Sequence, residues 1–326
     1  MNNESGNVKL SVVIRCRNEA HSLRQVFDAL AAQQCAFPWE IVVVDNESED
    51  DTQEICRQHG VRVVPLARKD FTYGHATNVG IGHARGELIM LMSAHAMPIG
   101  SHFFESAVAP FTDPAMAATR CLWLGSSKDI LSRWHKPKDI QYRSAEEQKA
   151  AESGTKWLGE YPTAGCCVLR RAVWEEVKYD ETLEANEDKF WASQVLARGY
   201  KMRSCAEAMW MYTRQYSPRD RWRKDNREQL AFYRISGRPP LTWSAFFKKS
   251  FLAVVTAPGI AVRYALGSII WNLHLVTIPW QARRLAKPGS LPEFDKRGKS
   301  PTPAPAPSPR ATPAISTPIK QQDIHP

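Results

Sequence analysis

The sequence predicts an α/β fold in which a mostly parallel sheet is flanked by helices. Three observations lead there. Short apolar runs at residues 10–14 (LSVVI), 40–44 (EIVVV) and 88–92 (LIMLM) have the length and continuity of strands buried on both faces. Helical patterns lie between them. Strand and helix alternate four times in the first hundred residues, the arrangement of right-handed crossovers in a parallel sheet.

The elements follow in order. After the first strand, Asn18 is expected to cap a helix on which Leu23, Val26, Phe27 and Leu30 repeat at i, i+3, i+4 and i+7. After the second strand, Ser48 and Asp51 read as a capping box for a helix through Ile55 and Cys56. Residues 61–66 form a third strand, and residues 76–84 a helix that Gly86 breaks. Residues 126–161 turn polar and irregular. Residues 163–170 read as a strand, and residues 187–198 as a helix with Trp191, Val195 and Leu196 inward. Residues 201–205 and 209–213 carry weaker strand patterns. The segment SPRDRWRKDNREQLAFYRISGR is strongly basic, with aromatic residues between the charges, and residues 251–280 are mostly apolar. Pro258 and Arg263 interrupt that stretch, so no clean run of about 20 apolar residues spans a bilayer. From Pro288 the chain is rich in Pro, Ser and Ala, a composition that cannot bury enough surface to fold. The expected division is a disordered start (1–7), a catalytic domain (8–215), a basic, amphipathic helical region at a membrane (216–287) and a disordered tail (288–326).

Composition narrows the partners. The formal charge of +9 favours an anionic partner: nucleic acid, nucleotide phosphates or an anionic membrane surface. Seven cysteines without a CxxC suggest a reduced, intracellular protein with no zinc site, and the polar start does not read as a signal peptide. Ligands of parallel sheets bind beyond the carboxyl ends of the strands. The residues of interest are therefore those at 15–19, 45–48, 68–74 and 93–95.

Those segments carry a resemblance. SVVIRCRNEA resembles the opening strand and turn of glycosyltransferase family 2, and EIVVVDNESEDDT its second strand and acidic turn. HATNVGIGHARGELIMLMSAHAMP is similar to the segment that ends in the family's metal-binding acidic motif. NEDKFWASQVLARGY resembles the later Glu-Asp helix of its catalytic base. The motifs come in family order over about residues 8–215, and FTYGHATNVG resembles the subgroup containing rhamnosyltransferases of cell-surface polysaccharides. The resemblance implies a GT-A-type fold and an inverting enzyme. It would move a sugar, hexosyl or deoxyhexosyl, from a nucleoside-diphosphate-sugar donor to a hydroxyl of a saccharide or lipid-linked acceptor. The expected location is the cytoplasm, peripheral at the inner face of the plasma membrane.

Residue by residue, Asp188 is the expected base, with Glu187 orienting it or raising its pKa by like-charge repulsion. The same residues at a helix start are also what the macrodipole favours. Asp45 is expected at the donor's nucleobase, with Arg15, Arg17, Glu19, Gly74, His75, Asn78, Ser93 and His95 around the nucleotide-sugar. Asp45, His95 and Asp188 are expected to converge on one cleft. Arg15 and Arg17 stand where the family has small, Pro or aromatic residues, and Asn78 also reads as a helix cap. The main departure is Ser93-Ala94-His95, where the family has acidic residues. An imidazole suits Mn²⁺ and serves Mg²⁺ poorly, so a metal, if used, would be Mn²⁺; a metal-independent reaction is the other option. Trp157, Tyr161 and Trp191 are candidates for an acceptor platform, although most aromatics are core. Three alternatives stand beside this reading. A nucleotidyltransferase is disfavoured because no glycine follows the first strand. A basic nucleic-acid-binding module and a catalytically inactive member of the fold are the others.

Overall fold

In the computed structural model, residues 8–124, 139–140, 163–213, 218–236, 273–274 and 276–278 are described. Their strands are β1 (Leu10–Cys16), β2 (Trp39–Asp45), β3 (Arg62–Pro65), β4 (Leu88–Ser93), β5 (Ala96–Pro98), β6 (Met116–Trp123), β7 (Asp139–Ile140), β8 (Cys166–Arg170) and β9 (Lys201–Tyr212). The helices are α1 (Ala20–Ala31), α2 (Thr52–Gln58), α3 (Tyr73–His83), α4 (Phe103–Val108), α5 (Arg171–Glu176), α6 (Glu187–Ala197) and α7 (Pro218–Ser236). All strands join one sheet of order β3-β2-β1-β4-β8-β6-β9-β5, with β7 on β9.

The fold is the α/β sandwich the sequence predicts, but the sheet is mixed. β1, β2, β3 and β4 run parallel. β8 then enters antiparallel to both β4 and β6, and β9 returns parallel to β6. One consequence matters for the site: the start of β8 lies beside the end of β4, with Met92 opposite Cys166.

Each face of the sheet has its own core. On one, Val12, Ile14, Ile41, Val43 and Met90 pack under Leu23, Phe27 and Leu30 of α1 and Ile55 of α2. On the other, Val13, Val42, Ile89 and Leu169 pack under Ile81 of α3 and Trp191, Val195 and Leu196 of α6. Truncating Trp191, 2% exposed, to alanine would cost about 3–5 kcal/mol. α3 ends at His83, before Gly86, which instead forms the turn into β4; a Cβ there would lie 2.6 Å from the Ser11 nitrogen, so only glycine fits.

Two local expectations are corrected. Asn18 does not cap α1; it adopts a left-handed φ of 53° and its side chain accepts from the Glu49 nitrogen at 2.8 Å. The first amides of the α1 region are instead met from the β2–α2 turn: Glu19 N by Thr52 Oγ1 at 2.9 Å, Ala20 N by Asp50 Oδ2 at 3.1 Å. Nor do Ser48 and Asp51 form a capping box; Asp50 accepts from Thr52 N at 3.0 Å, while the Ser48 hydroxyl donates to Asp45. These bonds lock the first and second turns of the carboxyl edge together. The two weak strands at 201–213 are one, β9, and residues 73–75 begin α3 earlier than expected. Among the described residues, no helix is long and apolar enough to cross a membrane. All seven cysteines are free thiols.

Candidate active site

The carboxyl edge of the parallel strands gathers most of the predicted residues into separate groups. The first is built on α6. Asp188 stands in its first turn, where the helix dipole favours an acid. Its Oδ2 accepts from Ala164 N at 3.0 Å and its Oδ1 from Lys189 N at 2.7 Å. Ala164 lies just before β8, and Ser93 N donates to Gly165 O at 3.0 Å, so Asp188 is tied to the end of β4. Behind it Glu187 is buried, and Arg15 Nη1 lies 3.2 Å from its Oε1. The same Arg15 nitrogen donates to Tyr73 O at 2.9 Å and Thr77 Oγ1 at 2.8 Å. Burial pushes the Glu187 carboxyl up to about 7; the Asp188 charge adds to the rise and Arg15 opposes it.

The second group is His95 with Glu19. His95 follows β4, and its Nδ1 is 3.3 Å from Glu19 Oε1, with both side chains largely buried. The contact with Glu19 fixes the orientation of the ring. His95 also lies 5.2 Å from the Tyr212 ring.

The third group surrounds Asp45, 1% exposed at the end of β2. Its carboxylate accepts from Ser48 N at 3.2 Å, Gln53 Nε2 at 2.6 Å and Cys16 Sγ at 3.6 Å, besides the Ser48 hydroxyl. Burial, then the Asp45 charge, drives the Cys16 thiol far above its ordinary range, so it remains a donor to that carboxylate.

The family model described as Glycosyl transferase family 2 matches residues 11–178, more than half of the 326 residues. The chain belongs to glycosyltransferase family 2. Among curated relatives, this glycosyltransferase is 26% identical over 223 residues to the O-antigen chain rhamnosyltransferase RfbN of Salmonella typhimurium, covering 67% of the chain and 70% of the relative. It is 22% identical over 201 residues to the O-antigen chain rhamnosyltransferase WbaN of Salmonella anatum, covering 59% and 62%. Its fold is similar to that of the mannosyltransferase PcManGT from Pyrobaculum calidifontis, solved with GDP-Man and Mn²⁺. The TM-score is 0.57 at 16% identity, over 84% of this chain and 87% of that one.

Against that background several expected roles of the glycosyltransferase change. Asp45, His95 and Asp188 share one sheet edge, but Asp45 turns toward the α1–α2 face and Asp188 belongs to the α3–α6 face. The Asp45 carboxylate is bonded within its own turn, by Ser48 and Gln53. Arg15 is held inside the protein by Glu187, Tyr73 and Thr77. Arg17, by contrast, is 38% exposed and has Glu49 only at 3.8 Å, a surface pair worth about 0–1 kcal/mol that an anionic ligand can displace. Asn78 makes four hydrogen bonds: to Tyr179 O, to Glu181 Oε1, and from Trp174 Nε1 and Tyr179 N. That fills the capacity of an amide, so it fastens the segment before α6 rather than reaching a ribose. His75 Nδ1 sits 2.9 Å from Glu181 Oε2, and a Cβ on Gly74 would lie 2.2 Å from Asp180 O, so both belong to the same clasp. Trp191 is core: its ring stacks on Tyr179 at 5.3 Å and its Nε1 donates to Val177 O at 2.7 Å. Trp157 and Tyr161 lie outside the described residues.

For a metal, the described residues hold no group of three or more His, Cys, Asp or Glu suited to an ion. His95 and Glu19 are a pair, one nitrogen and one carboxylate. That donor set would suit Mn²⁺ better than Mg²⁺, which prefers oxygen ligands.

Proposed function

We propose that this glycosyltransferase is an inverting enzyme of cell-surface polysaccharide synthesis, moving a deoxyhexosyl unit from a nucleoside-diphosphate sugar to an acceptor hydroxyl. The observation that carries the reading is the half-buried carboxylate of Asp188, tied by Ala164 N to the β4–β8 edge beside the buried Glu187–Arg15 pair. Asp188 takes the proton of the acceptor hydroxyl. The oxygen attacks the anomeric carbon, and the electron pair of the bond to the diphosphate leaves with the phosphate oxygen. Attack opposite the leaving group inverts the anomeric centre. The deoxyhexose follows the names of the two Salmonella relatives, and a nucleotide-linked donor agrees with the GDP-Man of PcManGT.

Arg17 at the rim contacts the donor diphosphate, and Glu19 orients His95 toward it. When bound, Mn²⁺ on His95 and Glu19 would screen the leaving group's charge; without metal, His95 donates a hydrogen bond to the same oxygens. Residues 8–215 form the catalytic unit. The basic α7 region lies at an anionic membrane surface, with Trp222 46% exposed beside the exposed Arg223.

The test is turnover of a panel of nucleoside-diphosphate sugars, each with chelator, Mg²⁺ and Mn²⁺. Asp188→Asn should abolish transfer while donor still raises the melting temperature. His95→Ala should slow turnover by roughly 2–4 kcal/mol, the scale of one lost leaving-group donor. His95→Asp should shift preference toward Mg²⁺. Full activity of both Asp188→Asn and His95→Ala would refute the mechanism.

A further inference from the structure

The aromatic residues first expected at the acceptor are buried or outside the described segments, yet the same sheet edge carries another aromatic group. Trp123 ends β6 and is 36% exposed, whereas Trp174, Trp191 and Trp210 are 6%, 2% and 3% exposed. Its ring lies 5.7 Å from that of Tyr212, which ends β9. Tyr212 is braced edge-on by Trp210 at 4.8 Å and stands 5.2 Å from His95. The backbone under this ledge is fixed: Leu124 N donates to Trp210 O at 2.8 Å and Thr213 N to His95 O at 3.0 Å. An exposed indole held on strand ends, beside a site residue, is a preformed surface rather than a stray apolar side chain.

Strand order gives the ledge its direction. Along the edge come β2, β1, β4, β8, β6 and β9. Arg17 follows β1, His95 follows β4, and Asp188 is tied to Ala164, two residues before β8. With the donor's nucleotide at β1–β2 and its diphosphate at His95, an acceptor attacking in line must approach from the far side, where β6 and β9 end. We infer that Trp123, with Tyr212 beside it, is the acceptor subsite, and that its ligand is a saccharide ring stacked by its apolar C–H face on the indole. This rests on the transferase reading above. The indole supplies flat apolar area at little entropic cost, and the neighbouring Tyr212 limits the ring's lateral position.

The experiment uses the full chain labelled with 5-fluorotryptophan, with the Trp123 line assigned by its loss in Trp123→Phe. Methyl α-L-rhamnopyranoside and a set of methyl hexopyranosides serve as probes. The expected result is a saturable shift of the Trp123 line, with the buried tryptophan lines unmoved. For a glycoside that produces it, Trp123→Ala should raise the acceptor KM by roughly three- to tenfold, with the effect on KM rather than kcat, and Trp123→Phe should retain most of the affinity. A Trp123 line unmoved by every glycoside, or an unchanged KM in Trp123→Ala, would overturn the subsite alone. A wild type that releases no nucleoside diphosphate from any nucleotide sugar would overturn the transferase reading and the subsite with it.

Discussion

Replacing Arg15 with methionine separates a buried ion pair from a donor contact. Arg15 and Glu187 are 14% and 6% exposed in their side chains, with 3.2 Å between them. Removing one partner of such a pair typically costs about 3–5 kcal/mol, because the remaining charge is stranded. Here the remaining group can escape by protonation. The Glu187 carboxyl already titrates at about 7 against an ordinary 4.5, raised by burial first and Asp188 second and lowered by Arg15. The folded state therefore binds this proton more tightly than the unfolded chain, so stability falls as pH rises from about 4.5 to about 7, by roughly 3 kcal/mol at most. Without Arg15 the upper end of that window moves higher. Arg15→Met should then be only mildly destabilised near pH 5.5, where Glu187 is protonated, and heavily destabilised near pH 8.5. Urea denaturation at the two pH values measures this, and adding Glu187→Gln should restore much of the loss at the higher one. Equal destabilisation at both pH values would refute the reasoning. It would mean that the bonds to Tyr73 O and Thr77 Oγ1, not the charge of Glu187, make Arg15 necessary.

Two further outcomes follow from the structure. Gly74→Ala puts a Cβ 2.2 Å from Asp180 O, a backbone atom that cannot swing away, so α3 must part from the segment before α6. A loss of roughly 1–3 kcal/mol in thermal or urea unfolding is expected, with an unchanged melting curve as the contrary result. Truncation before Thr242 should reduce co-sedimentation with anionic phospholipid vesicles at low salt while residues 8–215 stay folded by circular dichroism; undiminished sedimentation would exclude the apolar segment as the membrane contact.

The first four strands and α6 were legible because burial writes itself into sequence as apolar runs and as a 3.6 period. β6 (MAATRCLW) was not, since small residues and a register shift between Cys121 and Leu122 erase both patterns. β5 is three residues long and carries too little pattern. Within the site, position along the strand was legible but side-chain direction was not. A strand such as EIVVVD is apolar on both faces, so nothing in it shows that Asp45 turns toward α2. Partners distant in sequence were equally hidden: Asn78 meets Tyr179 and Glu181 about a hundred positions away, a pairing only the packing of α3 against the segment before α6 creates.

The two arginines of RCRNE make the same point within three residues. In sequence they look equivalent, and as long as a strand continues, residues two apart share a face. β1 ends at Cys16, however, and Asn18 takes a left-handed φ of 53° to enter α1. Arg15 is therefore the last side chain the strand aims at the α3–α6 face, where Glu187, Tyr73 and Thr77 hold it. Arg17 is already in the turn, 38% exposed, with a long contact to Glu49, a carboxylate that also meets Arg68 at 3.2 Å. Displacing Arg15 toward a phosphate would strand the buried Glu187 beside Asp188, whereas redirecting Arg17 breaks only a weak surface pair. In the proposed mechanism, the departure from the family at residue 15 acts through Glu187 on the surroundings of Asp188. The one at residue 17 leaves a surface guanidinium that the proposed mechanism assigns to the donor. A single turn after β1 thus sends one of two like charges into the core and leaves the other at the surface.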